Sequence, residues 1–303
     1  MSSGGRPIGA AAAGGAPPAR VHPVSPAPPE VATTRNKRPP SSAPRGSVAA
    51  ARGKAAPADR SHSTLWENVK SIGGALLIFL FVRTFLVEAY RIPSGSMIPT
   101  LLVGDWLFVN KLRFGPHVPF TSINLPGYAE PERDDVVVFV SPPQDPSIRT
   151  TPDAVTPTLV KRLVGVPGDT LFMRDGVLHV NGAPRAQGSD AVPAPSPDAG
   201  TASHPLFQWL ADARVAGTRF DDVAPAGSPT LDAWGPIVLP AGRFFMLGDN
   251  RYNSVDSRFY GLVPRENVRG RPLFIYYSWN ADSDEALPFL TDIRWRRIGH
   301  WIE

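Results

Sequence analysis

Cysteine is absent from all 303 residues, which excludes a disulfide framework and any thiolate metal site. Histidine is scarce. The six present are scattered and show neither HExxH nor any paired ligand spacing, which argues against a zinc hydrolase. Lysine is nearly as rare, with only Lys37, Lys54, Lys70, Lys111 and Lys161 in the chain. Hydrolytic chemistry here would have to use hydroxyl nucleophiles, carboxylates, amines or lone imidazoles, with no metal and no cofactor expected.

Proline and glycine, by contrast, are plentiful, at 35 and 27 residues. They concentrate before residue 64, in 141–158 and in 183–239, and mark a tail and two loops. The net charge of +4 is unevenly spread. Nine basic residues face two acidic ones up to Thr64, so the remainder of the chain is mildly acidic. A basic Pro/Ala-rich arm of this kind reads as a solvated, disordered segment, and no nucleic-acid partner is expected for the folded part.

One long apolar run follows the arm. Ile72 to Val82 is apolar apart from Gly73 and Gly74, and it resumes with Phe85, Leu86 and Val87 after Arg83 and Thr84. Counted from Val69, with Lys70 and Arg83 reaching toward the two interfaces, it supplies the ~20 residues that a membrane-crossing helix needs. Trp66 and Tyr90 flank it as interfacial aromatics. A cleavable targeting peptide fits poorly behind so long an arm. The expected division is a tail over 1–64, an anchor over 65–89 and a body over 90–303, with a weakly structured insertion near 183–239. The basic arm places the N-terminus on the cytoplasmic side and the body outside.

In the body the apolar segments are short, β-branched or aromatic, and bounded by turn residues. Strands are predicted at Asp105–Asn110, Asp135–Val140, Leu159–Val166, Thr170–Arg174, Val177–Val180, Arg243–Leu247 and Leu273–Ser278. Asp175-Gly176 is a preferred two-residue hairpin pair, and Asn181-Gly182 follows as a second turn. The fold class is therefore mainly β, with antiparallel sheets forming a distorted barrel or sandwich.

Three polar constellations stand out. IPSGSMIPTL, Ile92 to Leu101, places Ser94 and Ser96 in a proline-bounded segment directly after the apolar run. LVKRLVGVPGD, Leu159 to Asp169, holds Lys161 between Val160 and Arg162. Strand alternation puts Lys161 on one face with Leu159 and Leu163. Apolar surroundings would lower its pKa toward the range where a neutral amine can act as a base. GDNRYNSVDSR, Gly248 to Arg258, packs carboxylates and guanidiniums together, which suggests ion pairs that fix a turn. Each of these, taken singly, reads more readily as ordinary structure.

Together they closely resemble the conserved boxes of bacterial type I signal peptidases, the leader peptidases. The resemblance covers PSGSM with PTL, Gly104 and Asp105, the DVVVF strand, KRLVGVPGD, and GDNR with SVDSR, in order between about Leu76 and Ser278. It implies a membrane-bound serine endopeptidase that removes signal peptides from exported preproteins at the outer face of the bacterial inner membrane. Carried over by motif position, Ser96 is the nucleophile and Lys161 the general base. Ser94 and the N–H of Ser96 form the oxyanion hole, and Ser254 orients the lysine. Arg162, Asp249, Arg251, Asp256 and Arg258 are charged scaffold, and Ile92, Met97 and Ile98 are expected near the substrate pockets. The implied partners are preproteins and the lipid bilayer. A specialised Ser-Lys processing peptidase and a non-catalytic membrane-tethered β domain remain as alternatives. One departure is Asp134, where the family usually has glycine.

Overall fold

A computed structural model describes residues 61–303 apart from 122, 186–197, 199, 223, 224 and 226. The tail expected over 1–64 thus lies almost wholly outside the described residues.

The apolar run forms helix α1, Ser61–Phe81, which widens over Val82–Leu86 so that the Val87 N–H bonds the Val82 carbonyl five residues back. From Thr64 to Leu86 the helical segment has 23 residues, long enough at ~1.5 Å per residue to cross a hydrocarbon layer of about 30 Å. Its apolar span is not buried against the described residues: Leu77 and Ile78 are 70% and 67% exposed. The segment ends three residues before the expected limit at 89. Val87–Arg91 instead forms strand β1, because β-branched Val87 and aromatic Tyr90 find a partner strand in β2.

The remaining strands are β2 (Asp105–Asn110), β3 (Val136–Val140), β4 (Thr158–Gly165), β5 (Thr170–Arg174), β6 (Val177–Val180), β7 (Ala183–Pro184), β8 (Trp234–Val238), β9 (Arg243–Leu247), β10 (Val263–Pro264) and β11 (Val268–Ser278). Seven form a curled half-barrel in the order β1-β2-β11-β3-β4-β9-β10, and four form a second sheet in the order β7-β6-β5-β8. All pairings are antiparallel. β3 is buried along Val136–Phe139, as a near-continuous apolar run enclosed on both faces requires. Asp175 and Gly176 adopt φ of 51° and 74°, the left-handed pair that a tight hairpin between β5 and β6 needs. Asp134 takes φ 72°, so the turn that usually has glycine is retained by a residue that tolerates positive φ.

Two differences from the sequence reading concern pattern. β11 begins at Val268 rather than Leu273, since Gly270 and Pro272 interrupt the alternation and register shifts absorb them. The segment 183–239 is not a weakly structured insertion throughout. Its short helix α2, Gln208–Asp212, and strand β8 contribute Leu210, Trp234 and Ile237 to the core between the sheets, with Phe207 and Leu239 beside them.

Candidate active site

Ser96 sits where an extended stretch turns sharply. The Ile92 N–H bonds the Asp105 carbonyl at 2.8 Å and the Gly104 N–H bonds the Ile92 carbonyl at 3.0 Å, fixing the segment to the start of β2. Gly95–Met97 then forms a single tight helical turn. Ile92, Met97 and Leu101 are buried in the cluster beneath, with Leu107, Val136 and Ile275. Apolar burial on both sides therefore pins the turn, while Ser94 is exposed and Ser96 half-buried. Of the three residues expected near the substrate, Ile92 and Met97 are 3% and 1% exposed and act as core. Only Ile98, half-buried, has surface to offer.

Lys161 reaches Ser96 from the middle of β4, and the Lys161 Nζ and Ser96 Oγ are hydrogen-bonded. Alternation holds as expected: Leu159 and Leu163 share its face in one apolar cluster, and Val160 packs into another on the opposite side. Lys161 is 3% exposed. Burial drives its amine from 10.5 down to about 8; the carboxylates of Asp256 and Asp249 pull upward and the Arg258 guanidinium pulls downward. An amine of that basicity is substantially neutral near pH 8, and when neutral it can accept the hydroxyl proton of Ser96.

The third wall is the turn after β9. Gly248 is there because nothing larger fits: a Cβ would lie 2.2 Å from the Ser254 Oγ and 2.5 Å from the Ser96 carbonyl oxygen. The Ser254 hydroxyl is buried and has no hydrogen-bond partner among the described residues. Below it, Asp256 and Arg258 form a fully buried pair, with Nε and Nη2 donating to the carboxylate at 2.9 and 2.8 Å. Asp256 also accepts from the Gly248 N–H at 3.1 Å, and Arg258 donates to the Arg251 carbonyl at 2.6 Å. Burial alone would raise Asp256, but the charge and hydrogen bonds of Arg258 hold it below the usual carboxylate range. Arg251 is pushed down to about 10, first by burial and then by Arg258.

On the other face of β4, Arg162 grips Asp249 with two bonds of 2.8 Å, and the Thr100 hydroxyl donates to the same carboxylate at 2.6 Å. That bidentate clamp ties β4, the end of the serine turn and the Gly248 turn into one unit.

Two contributors escaped the sequence reading. Arg297 donates to Asp105 at 2.6 Å and to the Thr100 carbonyl at 3.0 Å, bracing the turn from the chain's far end, a contact with no local signal. Asn250 donates its backbone N–H to the Ser96 carbonyl at 3.1 Å and its Nδ2 to the Gly95 carbonyl at 3.2 Å, so one residue holds the peptide groups on either side of Ser96. Its place inside GDNR was the available signal. Asn250→Ala keeps the first bond and loses the second. We expect kcat to fall about 10- to 100-fold through loosened positioning of Ser96, with KM and melting temperature little changed. A kcat within twofold of the parent would contradict this role.

Comparison with known proteins follows this geometry. The family model described as signal peptidase, peptidase S26 matches residues 65–279. The signal peptidase I of Pseudomonas aeruginosa is 34% identical over 243 residues, covering 74% of this chain and 76% of that protein. The signal peptidase I of Pseudomonas fluorescens is 35% identical over 235 residues, covering 74% and 76%. That of Aquifex aeolicus is 32% identical over 247 residues, covering 72% and 88%.

Proposed function

This chain belongs to the signal peptidase, peptidase S26 family and is a serine endopeptidase, and on that premise we propose that it removes N-terminal signal peptides from exported preproteins with a Ser96–Lys161 dyad. The observation that carries the proposal is the hydrogen bond between Ser96 and a buried lysine whose amine is lowered to about 8.

In this reading the neutral Lys161 accepts the Ser96 proton as the oxygen attacks the scissile carbonyl. An acyl-enzyme forms as the peptide nitrogen leaves with a proton returned by the lysine. The same amine then activates the water that hydrolyses the ester. The developing oxyanion accepts hydrogen bonds from the Ser96 N–H and the Ser94 hydroxyl. The first N–H groups of a helical turn have no acceptor within the turn, and the exposed Ser94 precedes the Gly95–Met97 turn in extended backbone. Ser254, with its buried, unpartnered hydroxyl beside the Ser96 carbonyl, orients the amine once Ser96 is consumed. Arg162, Asp249, Arg251, Asp256 and Arg258 hold the frame. The substrate lies extended beside Pro93 and Ser94, adding main-chain hydrogen bonds, with small side chains before the cut meeting Ile98.

The helix Thr64–Leu86 would anchor the enzyme in the bacterial inner membrane, with the basic tail in the cytoplasm and the β body outside. Tethering enzyme and substrate to one plane raises their effective concentration. The direct test is cleavage of a model preprotein by the full chain, with the product mass locating the cut; failure to release the signal segment from several preproteins would refute the reading. The rate should also climb about tenfold per pH unit below about 8 and level off above it, as the neutral fraction of Lys161 grows. A rate that is flat between about pH 6 and 9 would exclude Lys161 as the titrating base.

A further inference from the structure

The segment between β2 and β3 is not part of the site, yet it makes an unusual display. Residues 116–121 and 123–125 are the two limbs of a small hairpin. The Val118 N–H bonds the Ile123 carbonyl and the Leu125 N–H bonds the Pro116 carbonyl, each at 2.9 Å, while His117 and Asn124 join side chains at 2.9 Å. At its tip the Thr121 hydroxyl donates back to the Val118 carbonyl at 2.9 Å and accepts from the Ile123 N–H at 3.1 Å. The tip is therefore braced, and what it holds out is apolar. Phe120 is 107% exposed and Ile123 56%, with Leu125 and Tyr128 at 40% and 68% on the flank. Phe120 also has φ 62°, a left-handed conformation that an aromatic side chain rarely occupies and for which Gly or Asn would serve better. A soluble loop gains nothing from a strained backbone that projects a phenyl ring into water.

The base of the hairpin says where the tip is. Asn110, the last residue of β2, pairs with Val87, the first residue after the helical segment. The Lys111 N–H bonds the Leu86 carbonyl at 3.0 Å, and its Nζ donates to the Thr84 carbonyl at 3.0 Å and pairs with Glu88 at 2.9 Å. The Tyr128 hydroxyl, on the returning limb, accepts from the Asn110 side chain at 2.9 Å. Both limbs thus leave from the end of the sheet at which the apolar helix joins it. Phe120 lies nine residue steps after Lys111, so the tip stands at most about 30 Å from that junction.

We propose that this hairpin is a second membrane contact, with Phe120 and Ile123 inserted at the boundary between headgroups and acyl chains next to the anchor. Aromatic and β-branched side chains are stabilised at that depth, while the paired polar backbone of the hairpin stays at the headgroups. Two points of attachment, one the helix and one the hairpin, would restrict rotation of the β body about the anchor. The Ser96 turn would then be held at a set height above the bilayer, where the cleavage site of a membrane-inserted preprotein emerges. The inference rests on the anchor reading above.

The cysteine-free chain allows a direct test. Single-cysteine variants of the full chain, Phe120→Cys, Ile78→Cys on α1 and Gln208→Cys on the exposed side of α2, are nitroxide-labelled in phosphatidylethanolamine–phosphatidylglycerol vesicles. Collision with oxygen reports lipid, and collision with a water-soluble nickel chelate reports solvent. The label at 120 should resemble that at 78, oxygen-accessible and shielded from nickel, while the label at 208 should be open to nickel. A label at 120 that behaves like 208 while 78 reports lipid overturns this proposal and leaves the anchor intact. If 78 also reports water, the anchor reading fails and this inference falls with it. Shielding at 120 that requires added preprotein, or that rises with protein density, would assign the tip to substrate or to a second copy and so overturn a lipid contact. In a parallel assay, the double variant Phe120→Ser, Ile123→Ser should cleave a vesicle-embedded preprotein severalfold more slowly and a soluble peptide in detergent at the parent rate. Equal loss on both substrates, or on neither, would count against a membrane role.

Discussion

Replacing Ser96 with Ala, or Lys161 with Met, should lower preprotein cleavage by about 10⁴-fold or more, because a nucleophile and its base act as one unit and either loss removes the whole covalent route. Lys161→Arg should be no better, since a guanidinium stays protonated at any accessible pH. The two inactive variants should nevertheless differ in stability. An amine lowered from 10.5 to about 8 on folding means that the unfolded chain binds the proton more tightly. Stability then rises with pH across the window from about 8 to 10.5, and below it the full penalty remains. At neutral pH that penalty is roughly 3 kcal/mol, a net figure that already includes the upward pull of the neighbouring carboxylates. Lys161→Met, which fills similar space without a charge, should therefore melt higher than the parent at pH 7 and lose that advantage as the pH nears 10. Ser96→Ala should melt close to the parent. A destabilised Lys161→Met, or appreciable turnover in either variant, would show that the lysine is structural and not the base.

The second large effect concerns the buried pair beneath the site. Arg258→Leu would strand the Asp256 carboxylate, whose side chain is 0% exposed, without its bidentate partner. Breaking such a pair from one side typically costs about 3–5 kcal/mol, which for a folded body of this size lowers the melting temperature by roughly 10 °C. Removing both charges together, as Asp256→Ala with Arg258→Leu, should cost less than the single change, because no isolated charge remains. The coupling would appear in the double-mutant cycle. Catalysis supplies an independent readout. Arg258 depresses the Lys161 amine and Asp256 raises it, so Arg258→Leu should shift the rise in the pH-rate profile to higher pH. A single variant no less stable than the double, with its profile unmoved, would mean that the pair neither supports the turn nor tunes the amine.

Both predictions depend on residues far apart in the chain, and they mark how much of the site could be read beforehand. Ser96 and Lys161 were identifiable because lysine is rare, because alternation placed Lys161 among leucines, and because the motif order matched a family. The bidentate Arg162–Asp249 clamp could be anticipated only as scaffold charge, since its partner choice depends on strands 87 residues apart. Ile92 and Met97 were expected near the substrate from their closeness in sequence to Ser96, and the fold places their side chains in the apolar cluster beneath the serine turn. The double clamp of Asn250 on the serine turn had only its place inside GDNR as a signal, because a side-chain amide carries no periodic or hydropathic signature.

The sequence by itself determined the apolar span, most of the strands and the hairpin at Asp175-Gly176, and it singled out Ser96 and Lys161 as candidates, because these follow from local periodicity, turn chemistry and residue type. Tertiary structure decided what the amine is. The Lys161 amine is lowered to about 8 only because the closing of the sheets excludes water from it and brings Asp256, Arg258 and Asp249 close, and desolvation and charge proximity are properties of the folded neighbourhood. It also decided the fate of segments whose local pattern was ambiguous, making a Trp-Gly-Pro stretch into strand β8 and the end of the expected anchor into strand β1, where long-range pairing outweighs weak local preference.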